Sequence, residues 1–216
     1  MEQKTTWTGA VGRVCNLLLV KIVNGLALSK IHPNFLTFIG LVINIGAAFL
    51  LARGAFWQAG LVIIGAGLFD MVDGRVARQT GQVTRFGGFF DSVIDRYSDL
   101  ALLIGLLVYY GNINRPPYVV LTAIVMMASV MTSYARARAE NTIPQCKVGF
   151  LERPERVVLL IIGALFDRMA PVLWIAAILG NLTVIHRMIF TFHEAKRLEE
   201  AQTRVPAGSS SIAVGR

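Results

Sequence analysis

Six predominantly apolar stretches, most of them long enough to cross a bilayer, alternate along the chain with short polar or charged breaks. They fall near residues 34–53, 56–78, 87–110, 117–139, 155–168 and 171–193, and predict an all-α integral membrane protein with six transmembrane helices. The fifth stretch is short and the sixth begins almost at once at Pro171, so Asp167, Arg168 and Met169 are expected in a tight external turn. Ahead of the first stretch, Trp7 to Lys30 is apolar but interrupted by Arg13, Asn16, Lys21 and Asn24, which gather largely on one side of a helical wheel. That pattern predicts an amphipathic juxtamembrane helix lying in the interface, since a seventh span would drag cations through the bilayer. The expected organisation is an interfacial helix over 1–30, a six-helix transmembrane domain over 31–196 and a disordered tail over 197–216, with Gly, Ser and Ala gathered after Arg204. No cleavable signal peptide is expected, because Met1 to Thr8 is polar and the apolar run after it lacks a cleavage site.

Composition sharpens this picture. Of 216 residues, 55% are hydrophobic and 16% charged, well below the quarter or so that is usual in a soluble domain. The two cysteines, Cys15 and Cys146, lie in different segments without metal-ligand spacing. With the N-terminus inside and six crossings, Arg53, Arg115 and Arg168 are the only basic residues of 21 left outside, and Asp167 the only acid. The positive-inside bias therefore places both termini, the end of the second span, the start of the third and the 140–154 segment on the cytoplasmic side of the cell membrane. The net charge of +8 is then a property of a membrane-facing and substrate-facing surface. No nucleic-acid-binding motif accompanies it, and no nucleic-acid partner is expected.

Against this apolar background stand Asp70, Asp73, Asp91 and Asp95. A carboxylate at the centre of a membrane helix costs about 2.5–3.5 kcal/mol, whereas a leucine returns only about 0.3–0.6 kcal/mol, so this group requires neutralisation. The i,i+3 and i,i+4 spacings place each pair on one helix face, and two such helices meeting would aim the carboxylates at one cavity. Oxygen-only donors suit hard divalent cations, and a pair of ions is an established arrangement for displacement at phosphorus. Gly74 and Gly87 would let a nucleotide or a neighbouring helix approach closely, and Arg78 has the geometry to clamp a phosphate oxygen.

The full pattern, Asp70-x2-Asp73-Gly74-x2-Ala77-Arg78-x8-Gly87-x3-Asp91-x3-Asp95, resembles the signature of the CDP-alcohol phosphotransferase family at every fixed position. The resemblance implies a membrane enzyme, usually a homodimer, that transfers a substituted phosphoryl group from a CDP-linked lipid to an alcohol and releases CMP. It implies that Asp70 and Asp91 touch both of two Mg2+ ions (Mn2+ being the alternative), Asp73 the first and Asp95 the second. Asp95 is then also the general base for the acceptor hydroxyl, and metal-assisted acidification of the alcohol must help so weak a base. In related enzymes the stretch matching Pro33-Asn34-Phe35-Leu36-Thr37 contacts the cytidine diphosphate, as do the positions of Gly74, Arg78 and Thr84; plain helix capping after Pro33 is the competing account.

The acceptor must be read from the second half. Ser133-Tyr134-Ala135-Arg136-Ala137-Arg138-Ala139-Glu140 ends the fourth span, Glu152-Arg153-Pro154-Glu155-Arg156 opens the fifth, and Arg187 follows Asn181 and Thr183 within the sixth. Arginines inside spans pair or bind something, and converging guanidiniums match a phosphate. Ser133, Arg136, Arg153, Arg156 and Arg187 are the candidate acceptor-phosphate residues; Arg138 and Arg156 equally suit pairing with Glu140, Glu152 or Glu155. These segments, with Asp91-Ser92-x2-Asp95-Arg96-x2-Asp99, resemble the branch comprising bacterial phosphatidylinositol-phosphate synthases and archaeal archaetidylinositol-phosphate synthases. Arg136 stands where some members carry lysine. The resemblance implies CDP-diacylglycerol and myo-inositol 1-phosphate as substrates; glycerol 3-phosphate, as in phosphatidylglycerol-phosphate synthases, is the alternative acceptor and an ether-linked archaeal lipid the alternative donor. A divalent-cation transporter or an intramembrane prenyltransferase would also use membrane carboxylates, but neither needs Gly74, Ala77, Arg78 and Gly87 at this spacing.

Overall fold

Proline marks four of the six helix starts. The computed structural model describes residues 33–79 and 84–204, with side chains for 34–70 and 84–201, and it contains six helices: α1 Pro33–Ala52, α2 Phe56–Gln79, α3 Arg85–Asn112, α4 Pro116–Ala139, α5 Arg153–Leu165 and α6 Met169–Arg204. Pro33, Pro116, Pro117, Pro154 and Pro171 all lie in first turns, where a missing N–H costs nothing and a fixed φ favours the helix. Thr84 caps α3, its hydroxyl accepting from the Gly87 N–H at 2.9 Å, so this helix starts slightly before the apolar run. Among the described residues there is no strand.

The ends of α1, α3 and α5 close alike. In each, one N–H reaches back five residues (Ala55 to Leu50, Arg115 to Tyr110, Arg168 to Gly163) and its predecessor reaches back three. The residue between helix and exit takes a left-handed backbone: Gly54 at φ 75°, Asn114 at φ 53° and Asp167 at φ 50°. These are Schellman closures, and Gly, Asn and Asp are the residue types that tolerate them. The turn expected at Asp167 is the third of them.

α1 packs on α2 and α3, α3 on α4, α4 on α6, and α5 against α2 and α6. Leu51, Ile63, Leu102, Leu103, Leu106, Val125, Leu160 and Leu173 form the buried centre. Gly105 permits a close approach of α3 to α1: a Cβ there would stand 2.3 Å from the Ala48 carbonyl oxygen. Outside, Phe49, Trp57, Ile104, Met127, Trp174 and Phe192 are exposed, a surface suited to lipid rather than water.

The protein is a membrane protein. Asn34–Ala52, Pro116–Ala139 and Met169–Ala201 are long and apolar enough to span, and Phe56–Asp70 is a shorter apolar segment. With 13 residues, α5 is only about 20 Å long against a hydrocarbon core of about 30 Å. The expected interfacial helix lies outside the described residues. Of the tail expected over 197–216, residues 197–204 are helical instead, because α6 runs to Arg204, its polar extension carrying the helix-spaced pairs Lys196–Glu200 and Glu194–Arg197; the rest lies outside the described residues.

Candidate active site

The motif carboxylates lie in the half of the bundle opposite the three Schellman turns. α3 presents Asp91, Asp95 and Asp99 at successive i,i+4 positions. Asp70 comes from α2 and sits against α1, where a Cβ on Gly40 would lie 3.1 Å from its Oδ1. Asp70, Asp91 and Asp95 are close enough to interact electrostatically. Asp73, Gly74 and Arg78 belong to the last turns of α2; their side chains lie outside the described residues.

Arg153, the first residue of α5, enters this group. Its Nη2 lies 2.9 Å from Asp70 Oδ2 and 2.9 Å from Asp95 Oδ1, and its Nε lies 3.5 Å from Asp99 Oδ1. Among the described residues no three acidic, His or Cys side chains converge as a ready-made metal cage; the guanidinium lies between two of the carboxylates. The donor set still suits a hard divalent cation, since oxygens from two helices already surround one positive centre. Asp99 also pairs with Arg156, and both side chains are 4% exposed. The glutamates that seemed equally good partners for Arg156 are not the ones it uses.

Beside Asp95 opens a cavity of about 530 Å3 between α3, α4, α5 and α6. Ser133, Arg136, Arg153, Arg156 and Arg187 all line it, so the candidate acceptor residues come together. Their surroundings differ. Arg136 reaches Glu140 at 3.0 Å and Glu152 at 3.5 Å and is 38% exposed. Arg187 is buried, and each of its nitrogens has a protein acceptor: Nε donates to Val148 O, Nη1 to Thr132 O and Nη2 to Glu152 Oε1.

Thr183 completes that arrangement. Its hydroxyl accepts from the Phe150 and Leu151 N–H groups, both at 3.0 Å, and Gly149 passes so close that a Cβ would meet Thr183 at 2.6 Å. Thr183 and Arg187 thus fasten the 140–152 segment to α6, and that segment delivers Glu152 and Arg153 to the cavity. Ile143 and Cys146 add an apolar anchor with Phe190 and Leu198. Asn181 bonds within its own helix, to Ala177 O.

The candidate nucleotide stretch opens α1. A Cβ on Gly87 would meet Thr84 Oγ1 at 3.0 Å and Asn34 Oδ1 at 3.4 Å, so Asn34 and Thr84 share one spot at the start of α3. Phe35 is exposed, whereas Leu36 and Thr37 are buried. Asn34 lies six residues before Gly40, about 9 Å along the helix from the level of Asp70.

Residues 30–193 match the family model described as CDP-alcohol phosphatidyltransferase. The chain belongs to this family. It is 37% identical to the archaetidylinositol phosphate synthase of Pyrococcus horikoshii over 182 residues, covering 84% of this chain and 93% of that one. It is 34% identical to the phosphatidylinositol phosphate synthase of Mycobacterium tuberculosis over 178 residues, covering 77% of this chain and 82% of that one. The crystal structure of the mycobacterial synthase with CDP-DAG bound is similar at a TM-score of 0.76 and 30% identity, covering 81% of this chain and 93% of that one. Its structure in complex with manganese and citrate gives a TM-score of 0.75 at 30% identity, covering 81% and 88%.

This phosphatidyltransferase-family chain has cavity residues beyond the candidate acceptor set. Asp99 continues the Asp91–Asp95 spacing by one more step, and that regularity was its signal. Ser92 and Arg96, which stand in the same pattern, also line the cavity, as does Thr132, an isolated polar residue on α4 that no sequence pattern marks.

Proposed function

We propose that this transferase moves the phosphatidyl group of CDP-diacylglycerol to a hydroxyl of myo-inositol 1-phosphate, giving phosphatidylinositol phosphate and CMP. The observation that carries the reading is the position of Asp95, which belongs at once to the carboxylate group of α2 and α3 and to the wall of the arginine-lined cavity. A base there faces both the activated phosphorus and an acceptor held by its phosphate. Asp70, Asp73, Asp91 and Asp95 are the ligands for two divalent ions, Mg2+ or Mn2+, which supply charge stabilisation at the phosphoryl oxygens when bound. Asp95 accepts the acceptor hydroxyl's proton as that oxygen forms the new P–O bond and the bond to CMP breaks. Asn34 and Thr84, with Pro33, Phe35, Leu36, Thr37, Gly74 and Arg78, form the nucleotide end. Ser133, Arg136 and Arg153 meet the acceptor phosphate, while Arg156 and Arg187 hold the walls. The names of the two similar synthases support an inositol phosphate product.

Six crossings, a cytoplasm-facing site in the cell membrane and a homodimer complete the proposal. Basic residues support the orientation, because the three Schellman turns hold only Arg53, Arg115 and Arg168 of the 21 lysines and arginines. The test is transfer of labelled lipid in purified membranes, from CDP-diacylglycerol and separately from its ether-linked archaeal counterpart. Inositol 1-phosphate, free inositol and glycerol 3-phosphate are offered in parallel. Product with inositol 1-phosphate alone is expected; preference for free inositol or glycerol 3-phosphate overturns the assignment.

A further inference from the structure

We propose that Arg153 is an exchangeable counter-cation, holding Asp70 and Asp95 until divalent ions displace it and then presenting its guanidinium to the acceptor phosphate. The inference rests on the proposed metal and acceptor sites and adds a coupling between them. The arginines of the cavity are not equivalent. Arg156 is locked to Asp99 in a fully buried pair, Arg187 has an acceptor for each nitrogen, and Arg136 lies between two glutamates that belong to no carboxylate motif. Arg153 alone among them is paired with carboxylates from the four-aspartate pattern, at 2.9 Å to each of two.

Its pose is also incompletely satisfied. The Nε of Arg153 is buried without a hydrogen-bond acceptor, Asp99 Oδ1 lying 3.5 Å away. A buried donor in that state carries a desolvation penalty, which lowers the cost of moving the group. Cations bound by Asp70 and Asp95 would repel the guanidinium and occupy the lone pairs it uses. Asp99 would retain it at the cavity wall, because that carboxylate lies outside the metal motif and already faces Nε. The same side chain lines the cavity, so a short swing about the Asp99 contact turns it from carboxylates to an anion. Two ligands that favour one position of a shared side chain strengthen each other reciprocally.

The test measures Mn2+ binding by electron paramagnetic resonance on the full-length protein in detergent, with and without saturating inositol 1-phosphate. The wild type should bind Mn2+ more tightly when inositol 1-phosphate is present. Arg153→Gln removes the competitor, so Mn2+ affinity without substrate should rise about tenfold, within the usual range of coupling between sites, and the effect of inositol 1-phosphate on it should vanish. Arg153→Lys keeps the charge and should restore most of the wild-type weakness toward Mn2+. Arg136→Gln removes an equal charge from the same cavity and should leave Mn2+ affinity within about twofold, as screening predicts for a charge off the ligands. Unchanged or weaker Mn2+ binding in Arg153→Gln, or equal tightening in Arg136→Gln, overturns the exchange while leaving the metal site standing. A wild type that binds no Mn2+ removes the metal reading and the exchange together.

Discussion

Replacing Asp99 with Asn should be among the most destabilising single changes in this bundle, and more costly than removing its partner. Asp99 and Arg156 are each 4% exposed, so Asp99→Asn leaves a buried guanidinium without its carboxylate, its Nε already lacking an acceptor. Breaking a buried pair from one side costs about 3–5 kcal/mol. Arg156→Gln is different, because Asp99 keeps Arg153 3.5 Å away as a second cation. Its loss should be nearer the value of one charge-assisted hydrogen bond, about 1.5–3 kcal/mol. The double variant leaves neither charge stranded, so the two losses should fall short of additivity by about 0.5–3 kcal/mol. Reversible unfolding in mixed detergent micelles measures all of them on one scale. If Arg156→Gln costs as much as Asp99→Asn, or the double variant loses the full sum, the shared-carboxylate account is wrong.

Asp70→Asn, Asp91→Asn and Asp95→Asn should each abolish lipid transfer while the proteins still insert and elute normally from a sizing column; near wild-type transfer by Asp91→Asn with Mg2+ present would refute the metal assignment, and chelation should mimic these variants reversibly. Arg136→Ala should raise the KM for inositol 1-phosphate about ten- to a hundredfold, the value of one charge-assisted contact. The KM for CDP-diacylglycerol in that variant should stay within about twofold, since Arg136 lines the acceptor cavity and is not among the nucleotide-end residues; equal losses for both substrates would count against a phosphate role. Thr183→Val removes the acceptor of two backbone N–H groups, so hydrogen exchange should accelerate in residues 147–152 with a stability loss of about 1–3 kcal/mol. Gly105→Ala places a methyl 2.3 Å from a backbone oxygen and should lower the unfolding free energy by about 1–3 kcal/mol as α1 and α3 move apart; an unchanged midpoint would mean that contact is not tight.

Helix positions were legible because apolar runs and first-turn prolines agree on them. α6 outran its apolar run because hydropathy falls at the membrane edge while helix-spaced charges such as Lys196 and Glu200 continue the helix. The acidic group was legible from spacing alone. The division of labour among the arginines was not. Arg187 lies in an apolar span and invites a ligand, yet two of its three acceptors are backbone carbonyls of Thr132 and Val148, and a carbonyl has no sequence signature. Arg156 has glutamates nearby in the chain, but its partner is Asp99, 57 residues away on α3, and no local pattern signals a contact at that separation. Arg153 was expected among phosphate ligands, and nothing local signals that Asp70, 83 residues before it, would hold it first.

The three matched Schellman closures have a consequence for access. Each turn is sealed by its own backbone hydrogen bonds and contributes little more than Gly54, Asn114 or Asp167 and one neighbouring arginine. Among the described residues, that rim offers impermeant reagents, antibodies and polar inhibitors almost nothing to grip. Any compound meant to act on this protein must either enter from the compartment that the arginine-lined cavity faces or travel sideways through the lipid.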